Sequence, residues 1–288
     1  MKSLLTTLLA LSCVTHCWGA SSIDPANKFA YGANFGWLNW RGDEPTADNG
    51  AVIGEFVCSG YVYAANTGWI HLGAGAPDNG IHYQNNSATD YGINVDPLGN
   101  LRGHAYGANI GWLNFEDLGA PKVDLFTGVL SGSIWGANVG WISLSNLFAH
   151  VQTQFILSGL DADQDGLPDA WELTFARSLE TLDGDGDLDH DGSSNRSEYL
   201  AGTNPVDARS HLGITMIQAS EAVAALSWPS QPGRLYRVES RTDLNSTTPW
   251  ADVGLGWIVP DPGGVTTFRL ETAPQRFFRI QVSQPLLR

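Results

Sequence analysis

Acidic side chains are concentrated between Asp161 and Glu198, where their spacing matches that of a calcium-binding loop. This segment holds 12 acidic residues in 38 positions. Two stretches, DADQDGLPDAWE (161–172) and DLDHDGSSNRSE (187–198), each satisfy the pattern D-x-[DN]-x-[DN]-G-x5-E. Calcium takes about six to eight oxygen ligands, and a tightly curled loop turns alternate side chains toward one point. The sequence therefore predicts about two bound Ca²⁺ ions.

Each position of the pattern implies a particular ligand. The predicted ligands are Asp161, Asp163, Asp165, the carbonyl of Leu167, Asp169 and Glu172 in the first loop, and Asp187, Asp189, Asp191, the carbonyl of Ser193, Asn195 and Glu198 in the second. Asp183 and Asp185 allow other registers, but those lack glycine at position 6, so both residues remain candidate auxiliary ligands. The alternative is a flexible acidic linker, since blocks of like charge repel and stay solvated.

A helix is predicted after each loop. Pro168 suits a first helical turn, and Trp171, Phe175 and Leu179 recur on one helical face. The stretch NRSEYLA predicts a second helix ending at Gly202. The motifs GLPDAWE and EYLAGTNP resemble the thrombospondin type 3-like and dockerin-like (EF-hand-type) calcium repeats of secreted bacterial proteins, over residues 159–209. The resemblance implies a calcium-rigidified spacer, and a dockerin role would also imply a cohesin partner.

The N-terminus has the pattern of an export signal. Lys2 precedes an apolar run from Leu4 to Val14, which predicts a signal peptide over residues 1–19; a lipoprotein site at Cys13 is the alternative. No stretch approaches the roughly 20 apolar residues of a membrane-spanning helix. Cys58 is then the only cysteine of the mature chain, and we expect it to be a small buried residue. The protein is predicted to be secreted or at the cell surface.

The net charge of −15 is distributed unevenly along the chain. Residues 24–158 carry 11 acidic and 4 basic residues, residues 159–211 carry 13 and 3, and residues 212–288 carry 6 and 7. Bound calcium would neutralise much of the excess in the middle segment. Since no basic face is predicted, nucleic acid and anionic membranes are excluded as expected partners.

Residues 24–158 contain one motif four times. Its copies are FAYGANFGWLNW, YVYAANTGWIHL, HAYGANIGWLNF and SIWGANVGWISL. Each predicts a hairpin with a turn over Asn-x-Gly, within a unit of about three antiparallel strands. A barrel, a prism and a solenoid all remain open. We expect the motif tryptophans to pack in the core, with a sugar-stacking surface as the alternative. The motif resembles "GWI" repeats of exported bacterial proteins, which implies no activity.

Residues 212–288 predict six short strands. These are GITMIQA, AVAALSW, RLYRVESR, WADVG, VTTFRL and RFFRIQV, separated by clusters of turn residues. The pattern LSWPSQPGRLYRVESRTDL resembles small immunoglobulin- or fibronectin-like sandwiches at the C-termini of exported bacterial proteins. The expected fold class is therefore mainly β: an N-terminal antiparallel β-repeat domain (24–158), a calcium-binding loop-helix segment (159–211) and a C-terminal β-sandwich (212–288).

These features predict a non-catalytic, calcium-binding protein of the cell surface or extracellular space. No serine–histidine elbow, phosphate loop or motif-placed carboxylate pair points to an enzyme. The expected role is an adhesion or glycan-binding module with a calcium-rigidified linker, whose partner is an extracellular polysaccharide or another cell-surface component. Two alternatives stay open: a structural surface-layer or matrix protein that self-associates through repeat edges, and a glycan-degrading enzyme.

Overall fold

The computed structural model describes residues 21–42, 49–219, 223–244, 247–271 and 276–288, so the predicted signal peptide (1–19) lies outside the described residues. The expected mainly β fold is confirmed, with several sheets. The N-terminal strands are β1 (Ile23–Gly32), β2 (Gly36–Asn39), β3 (Ser59–Ala64), β4 (Gly68–Ala74), β5 (Ile93–Val95), β6 (Leu101–Gly107), β7 (Gly111–Asn114), β8 (Lys122–Val123), β9 (Leu130–Ser131), β10 (Ser133–Gly136), β11 (Gly140–Ser143) and β12 (Val151–Thr153). Helices α1 (Asp169–Phe175) and α2 (Asn195–Ala201) follow.

The N-terminal part is an eight-stranded antiparallel barrel. Strands β1, β2, β3, β4, β6, β7, β10 and β11 pair in that order. Pairing of β11 with β1, which places Tyr31 opposite Ser143, closes the sheet. Each motif copy forms one hairpin of the barrel: β1–β2, β3–β4, β6–β7 and β10–β11. Closure decides between the architectures that the sequence left open.

The barrel interior is filled by apolar side chains. The residue that follows each motif tryptophan points inward, and Leu38, Ile70, Leu113 and Ile142 are all at most 1% exposed. The expectation that the tryptophans form the core is wrong, because Trp37 keeps 48% of its surface exposed. Successive residues of a strand face opposite sides of a sheet, so the inward position of Leu38 places its neighbour Trp37 on the outer face. Large aromatic side chains enter the core at other positions, since Trp40 and Phe115 are each 1% exposed.

The motif asparagines connect neighbouring hairpins in a ring at one end of the barrel. Asn66 donates its side-chain N–H to the carbonyl of Phe35 at 2.9 Å, and Asn34 donates to the carbonyl of Val139 at 2.9 Å, across the closing pair of strands. Asn109 and Asn138 make the equivalent bonds to the preceding turns. These asparagines therefore lie in the turns, as expected, and also connect each turn to its neighbour.

Because Leu38 points into the barrel and Trp37 points outward, we predict that replacing them by alanine lowers the stability by different amounts. We expect Leu38→Ala to lower the free energy of unfolding by about 2–5 kcal/mol, because it opens a cavity in the core. Trp37→Ala should cost less than Leu38→Ala, because about half of the tryptophan surface is already in solvent and its removal leaves no enclosed cavity. The cross-strand ring contact with Tyr31 at 4.9 Å accounts for about 0.5–1.5 kcal/mol of that loss, beyond the buried area. Urea denaturation followed by circular dichroism measures both, and a larger loss for Trp37→Ala would reverse the assignment.

The C-terminal part contains two three-stranded sheets, and all six predicted strands are observed. Their bounds are β13 (Met216–Ala219), β14 (Val223–Pro229), β15 (Leu235–Arg241), β16 (Ala251–Asp252), β17 (Val265–Glu271) and β18 (Phe277–Ser283). The strand orders are β13-β14-β17 and β16-β15-β18. Leu226 and Trp228 of one sheet form a buried core with Tyr236 and Val238 of the other.

The chain end returns from the C-terminal sheets to the barrel side of the molecule. Leu287 bridges in parallel to Ile156, and the N–H of Ser158 donates to the carbonyl of Arg288 at 2.8 Å. Leu286 and Leu287 pack against the barrel core. Hence the barrel and the C-terminal part are joined by direct contacts as well as by the acidic segment.

Candidate metal centres

The first acidic loop brings three carboxylates to one point. Side-chain oxygens of Asp161, Asp163 and Asp165 all lie within 4.8 Å of one another. Gly166 follows with φ +88°, a conformation that glycine adopts without strain, and its N–H donates to Asp161 at 3.0 Å. The turn thus folds the loop back over its first carboxylate.

The second loop repeats this geometry at the predicted register. Side-chain oxygens of Asp187, Asp189 and Asp191 also lie within 4.8 Å of one another. Gly192 has φ +94°, and its N–H donates to Asp187 at 2.9 Å. The two loops therefore have the same conformation, although only some of their residues are identical.

Other loop positions form matching hydrogen bonds. In the first loop, Asp169 accepts a bond from the N–H of Ala162 at 2.8 Å, and in the second, Asn195 accepts one from Leu188 at 3.3 Å. The N–H groups of Leu167 and Ser193, whose carbonyls are predicted ligands, donate to the third aspartate of their loops. These bonds hold the carboxylates in place through the backbone.

A buried glutamate closes each loop. Glu172 on α1 is 0% exposed, and neither of its carboxylate oxygens has a hydrogen-bond partner in the described ranges. Glu198 on α2 is 1% exposed; its Oε1 accepts from Thr203 at 3.3 Å, while Oε2 is without a partner there. Buried polar groups are normally satisfied, and a cation or a proton would satisfy these carboxylates.

The electrostatic environment of these glutamates is shaped by the aspartates. Burial, followed by the charges of Asp165, Asp163, Asp169 and Asp161, raises the pKa of Glu172 to about 8. Burial, then Asp189 and Asp191, raises the pKa of Glu198 to about 7. Each glutamate therefore faces the carboxylates of its own loop, and a cation among them would relieve the repulsion.

The segment 183–186 connects the two loops. The N–H of Gly184 donates to Asp165 of the first loop, and Asp185 pairs with Arg196 of α2 at 3.1 Å. Arg196 also donates to the carbonyl of Asp165. The Asp185 carboxylate is therefore paired with the Arg196 guanidinium. Asp183 accepts a hydrogen bond from the N–H of Asp185 at 2.9 Å. The bridging role of Arg196 had no signal in the sequence.

Helix α1 is shorter than the sequence pattern suggests. It ends at Phe175, and Leu179 begins a separate 3-10 turn, Leu179–Thr181. The predicted stripe through Trp171, Phe175 and Leu179 is therefore wrong at its last member. The predicted second helix is confirmed, ending at Gly202 in the left-handed conformation (φ 73°).

An aromatic residue lies next to each closing glutamate and faces the barrel. Trp171 precedes Glu172, Tyr199 follows Glu198, and their rings are 5.6 Å apart between centroids. Phe56, from the loop before β3, packs against the buried cluster that contains both rings. The loop geometry and the contact with the barrel are therefore set by adjacent residues.

The remaining chemistry-bearing residue singled out from the sequence is Cys58. It is a free cysteine, buried as expected, and burial raises the pKa of its thiol to about 12. The thiolate that a nucleophile needs is thus scarce at neutral pH. Within the described ranges, no helix has the length and apolar character needed to cross a membrane.

Comparisons with known proteins give no identification. No protein-family model, curated protein or solved structure matches this chain. The function is therefore inferred from the geometry of the loops and the barrel.

Proposed function

We propose that this chain is an exported, non-catalytic protein of the cell surface or extracellular space that binds two Ca²⁺ ions. The observation that carries the proposal is the pair of buried glutamates, Glu172 and Glu198, each with unpaired carboxylate oxygen facing three clustered aspartates. A hard cation with oxygen ligands satisfies these groups, and both loops follow the calcium spacing. Calcium suits them better than magnesium, which demands stricter octahedral geometry and keeps several waters.

Calcium in this proposal holds together the junction between the acidic segment and the barrel. Because Trp171 and Tyr199 adjoin the closing glutamates, fixing each glutamate on its ion also fixes the aromatic ring beside it. Both rings belong to the buried cluster against which Phe56 of the barrel side packs. Without the ions, repulsion among the carboxylates would act directly on these two helices.

A polar cluster extends the junction to the C-terminal part. The hydroxyl of Tyr199 donates to Glu55, on the barrel side. Arg234, directly before β15, donates to the carbonyls of Leu200 at 2.8 Å and Tyr199 at 3.3 Å. Helix α2 therefore contacts both neighbouring parts, and the ion bound next to it would order both contacts.

The same proposal assigns the other parts of the chain. The barrel is a fourfold sequence repeat with a binding role, the C-terminal sheets are an immunoglobulin- or fibronectin-like sandwich, and the acidic segment is a thrombospondin type 3-like spacer. The ligand is an extracellular polysaccharide or another surface component. Self-association through repeat edges loses support, since the pairing of β11 with β1 uses the edges that it requires.

A calcium titration of residues 20–288 by calorimetry tests the metal sites. We expect about two ions per chain. If only the folded segment binds calcium, a hundredfold excess over Kd adds about 2.7 kcal/mol to its stability. Trypsin gives a second readout, since Arg177 is exposed between the two loops. Cleavage there should be slow in calcium and fast in chelator.

Magnesium at the same concentration is the control for a nonspecific effect of divalent charge. If calcium gives neither binding heat nor protection of Arg177 against trypsin, the segment is an acidic flexible linker and the proposal is overturned. If magnesium protects Arg177 against trypsin as well as calcium does, the segment binds metal but is not selective for calcium.

A further inference from the structure

The barrel wall provides an internal comparison of four equivalent surfaces. At each boundary between hairpins, the outward residues of four neighbouring strands line up in one row. A row starts at the motif tryptophan of one hairpin, crosses to its cross-strand aromatic partner, and continues onto the neighbouring hairpin. The four rows are Trp37–Tyr31–Ser143–Ser133, Trp69–Tyr63–Asn39–Phe29, Trp141–Trp135–Asn114–His104 and Trp112–Tyr106–His71–Tyr61.

Three of these rows are interrupted, because their third position is a small polar residue whose side chain forms a hydrogen bond to the backbone two residues further along the chain. Asn39 accepts from the N–H of Arg41 at 2.9 Å, and Asn114 accepts from that of Glu116 at 2.6 Å. Ser143 donates its hydroxyl to the carbonyl of Ser145 at 2.6 Å. These side chains shape the turn that leaves each strand.

The fourth row is aromatic throughout. We call Trp112, Tyr106, His71 and Tyr61 the aromatic row. Tyr106 and Trp112 are 4.9 Å apart between ring centroids, and Tyr61 and His71 are 4.8 Å apart. Trp112 is 45% and Tyr106 38% exposed, so both side chains are partly open to solvent. Four strands at about 4.8 Å spacing make this a platform about 14 Å long.

Among the described residues, this row is the one that is joined by an aromatic ring from outside the motif. Tyr91, from the chain between β4 and β5, donates to or accepts from His71 Nδ1 at 2.8 Å. Its ring stands nearly perpendicular to that of Trp112, at 4.9 Å and 89°, and to that of His71, at 5.5 Å and 81°. The rings of the row are tilted to one another, by 58° between Tyr106 and Trp112 and by 37° between Tyr61 and His71, and Tyr91 stands beside them.

Stability of the sheet does not account for this asymmetry. The tryptophan and its cross-strand partner occur at all four boundaries with ring separations of 4.9–5.0 Å, so each boundary has the same stabilising pair. His71, Tyr61 and Tyr91 add further, partly buried rings at one boundary, and the three interrupted rows show that the barrel closes without them. A binding surface explains why only this boundary differs.

We propose that the aromatic row binds a neutral polysaccharide, with its sugar rings stacked on the aromatic faces. This inference rests on the proposed function and names the surface and the ligand class. Pyranose rings have an apolar C–H face that packs on an aromatic ring, and hydroxyls at their edges that need hydrogen-bond partners. In the part of the chain that the structure describes, the hydroxyls of Tyr61 and Tyr106 make no hydrogen bond, so they can serve sugar hydroxyls.

Charge favours a neutral glycan over other occupants. Residues 24–158 carry 11 acidic and 4 basic residues, a net charge of −7, which opposes acidic polysaccharides and nucleic acids. The four members of the row have no charged group at neutral pH, since burial lowers the pKa of His71 below its usual value. An apolar peptide would leave the phenol hydroxyls unpaired.

Native gel electrophoresis of residues 20–288, in calcium, tests the proposal. The gels contain hydroxyethyl cellulose, xylan, glucomannan or dextran one at a time, and alginate as the acidic polysaccharide. The variant Tyr61→Ser/His71→Asn introduces residues that the barrel already has at equivalent positions, Ser133 and Asn39. We expect retardation of the native chain by at least one neutral polysaccharide, and at least about tenfold weaker binding by the variant.

Phe29→Ser is the matched control, because Phe29 occupies the position of Tyr61 in an interrupted row. It should bind as the native chain does, and all variants should bind two calcium ions and melt within a few degrees of it. Retardation by alginate alone, or by none of the polysaccharides, would overturn the proposal. The same holds if Phe29→Ser loses as much polysaccharide binding as Tyr61→Ser/His71→Asn. A failed calcium titration with retained retardation would reject the metal sites and leave the glycan surface standing.

Discussion

Glu172→Gln should reduce the calcium stoichiometry from about two ions to about one, and Glu198→Gln should do the same for the second loop. In each proposed calcium loop, this glutamate would supply both oxygens and a full negative charge to the ion. Glutamine has the same shape but offers a single, neutral oxygen. Calorimetric titration of each variant measures the number of ions bound. The double variant should lose calcium protection of Arg177 against trypsin.

The same substitutions should have the opposite effect in chelator. Without calcium, Glu172 is a buried carboxylate among four aspartates, so removing its charge removes repulsion. At pH 8 and above, metal-free Glu172→Gln should therefore unfold at a higher temperature than the metal-free native chain. In saturating calcium the order should be reversed. This crossing separates a metal ligand from a residue that only packs.

Asp185→Asn is the control for a general loss of acidic charge. Asp185 lies between the loops and pairs with Arg196 rather than with an aspartate triad. The variant should keep about two calcium ions, with little change in affinity. Two ions bound by Glu172→Gln, or one ion lost in Asp185→Asn, would show that the ligands are assigned wrongly.

Calcium affinity should rise steeply with pH, and more so in the first loop. A proton on Glu172 competes with the ion, and its pKa of about 8 means that few molecules are ready to bind at pH 6. Affinity at the first loop should be on the order of fiftyfold weaker at pH 6 than at pH 8. For Glu198, with a pKa of about 7, the loss should be about tenfold.

Stability without metal should follow pH in the other direction. The pKa of Glu172 is raised from 4.5 to about 8 on folding, so the folded state binds the proton more tightly than the unfolded state. This contribution is fully present below about pH 4.5 and is lost as pH rises toward 8. Melting temperatures in chelator should therefore fall over this range, whereas those in saturating calcium should not. Calorimetric titrations with calcium, carried out in buffers of different ionisation enthalpy, measure the number of protons that the chain releases when calcium binds.

An affinity that stays constant between pH 6 and pH 8 would contradict this account of the glutamates. The single variants separate the two loops, since Glu172→Gln leaves the shallower dependence of the second loop and Glu198→Gln leaves the steeper one. Both profiles are measurable because each variant retains one site.

The two loops were predictable because their geometry is local. Asp161, Asp163 and Asp165 converge through a turn at Gly166, whose N–H donates to Asp161 within the same twelve-residue stretch. The bonds from Gly184 and Arg196 to Asp165 come from outside this stretch and could not be predicted in the same way. The hairpins were predictable for the same reason, as Asn-x-Gly turns favour them. The length of α1 was not, since the break after Phe175 leaves Leu179 in a separate turn.

The sequence by itself determined the mainly β composition, the six C-terminal strands and the clustering of acidic residues at calcium spacing. Only the tertiary structure decided that the hairpins close into a barrel, that its tryptophans face outward, and that His71 continues a row begun at Trp112 on another hairpin. The reason is physical: turns and loops depend on neighbours in the chain, whereas the inside of a barrel and the rows across its wall exist only after distant strands have paired.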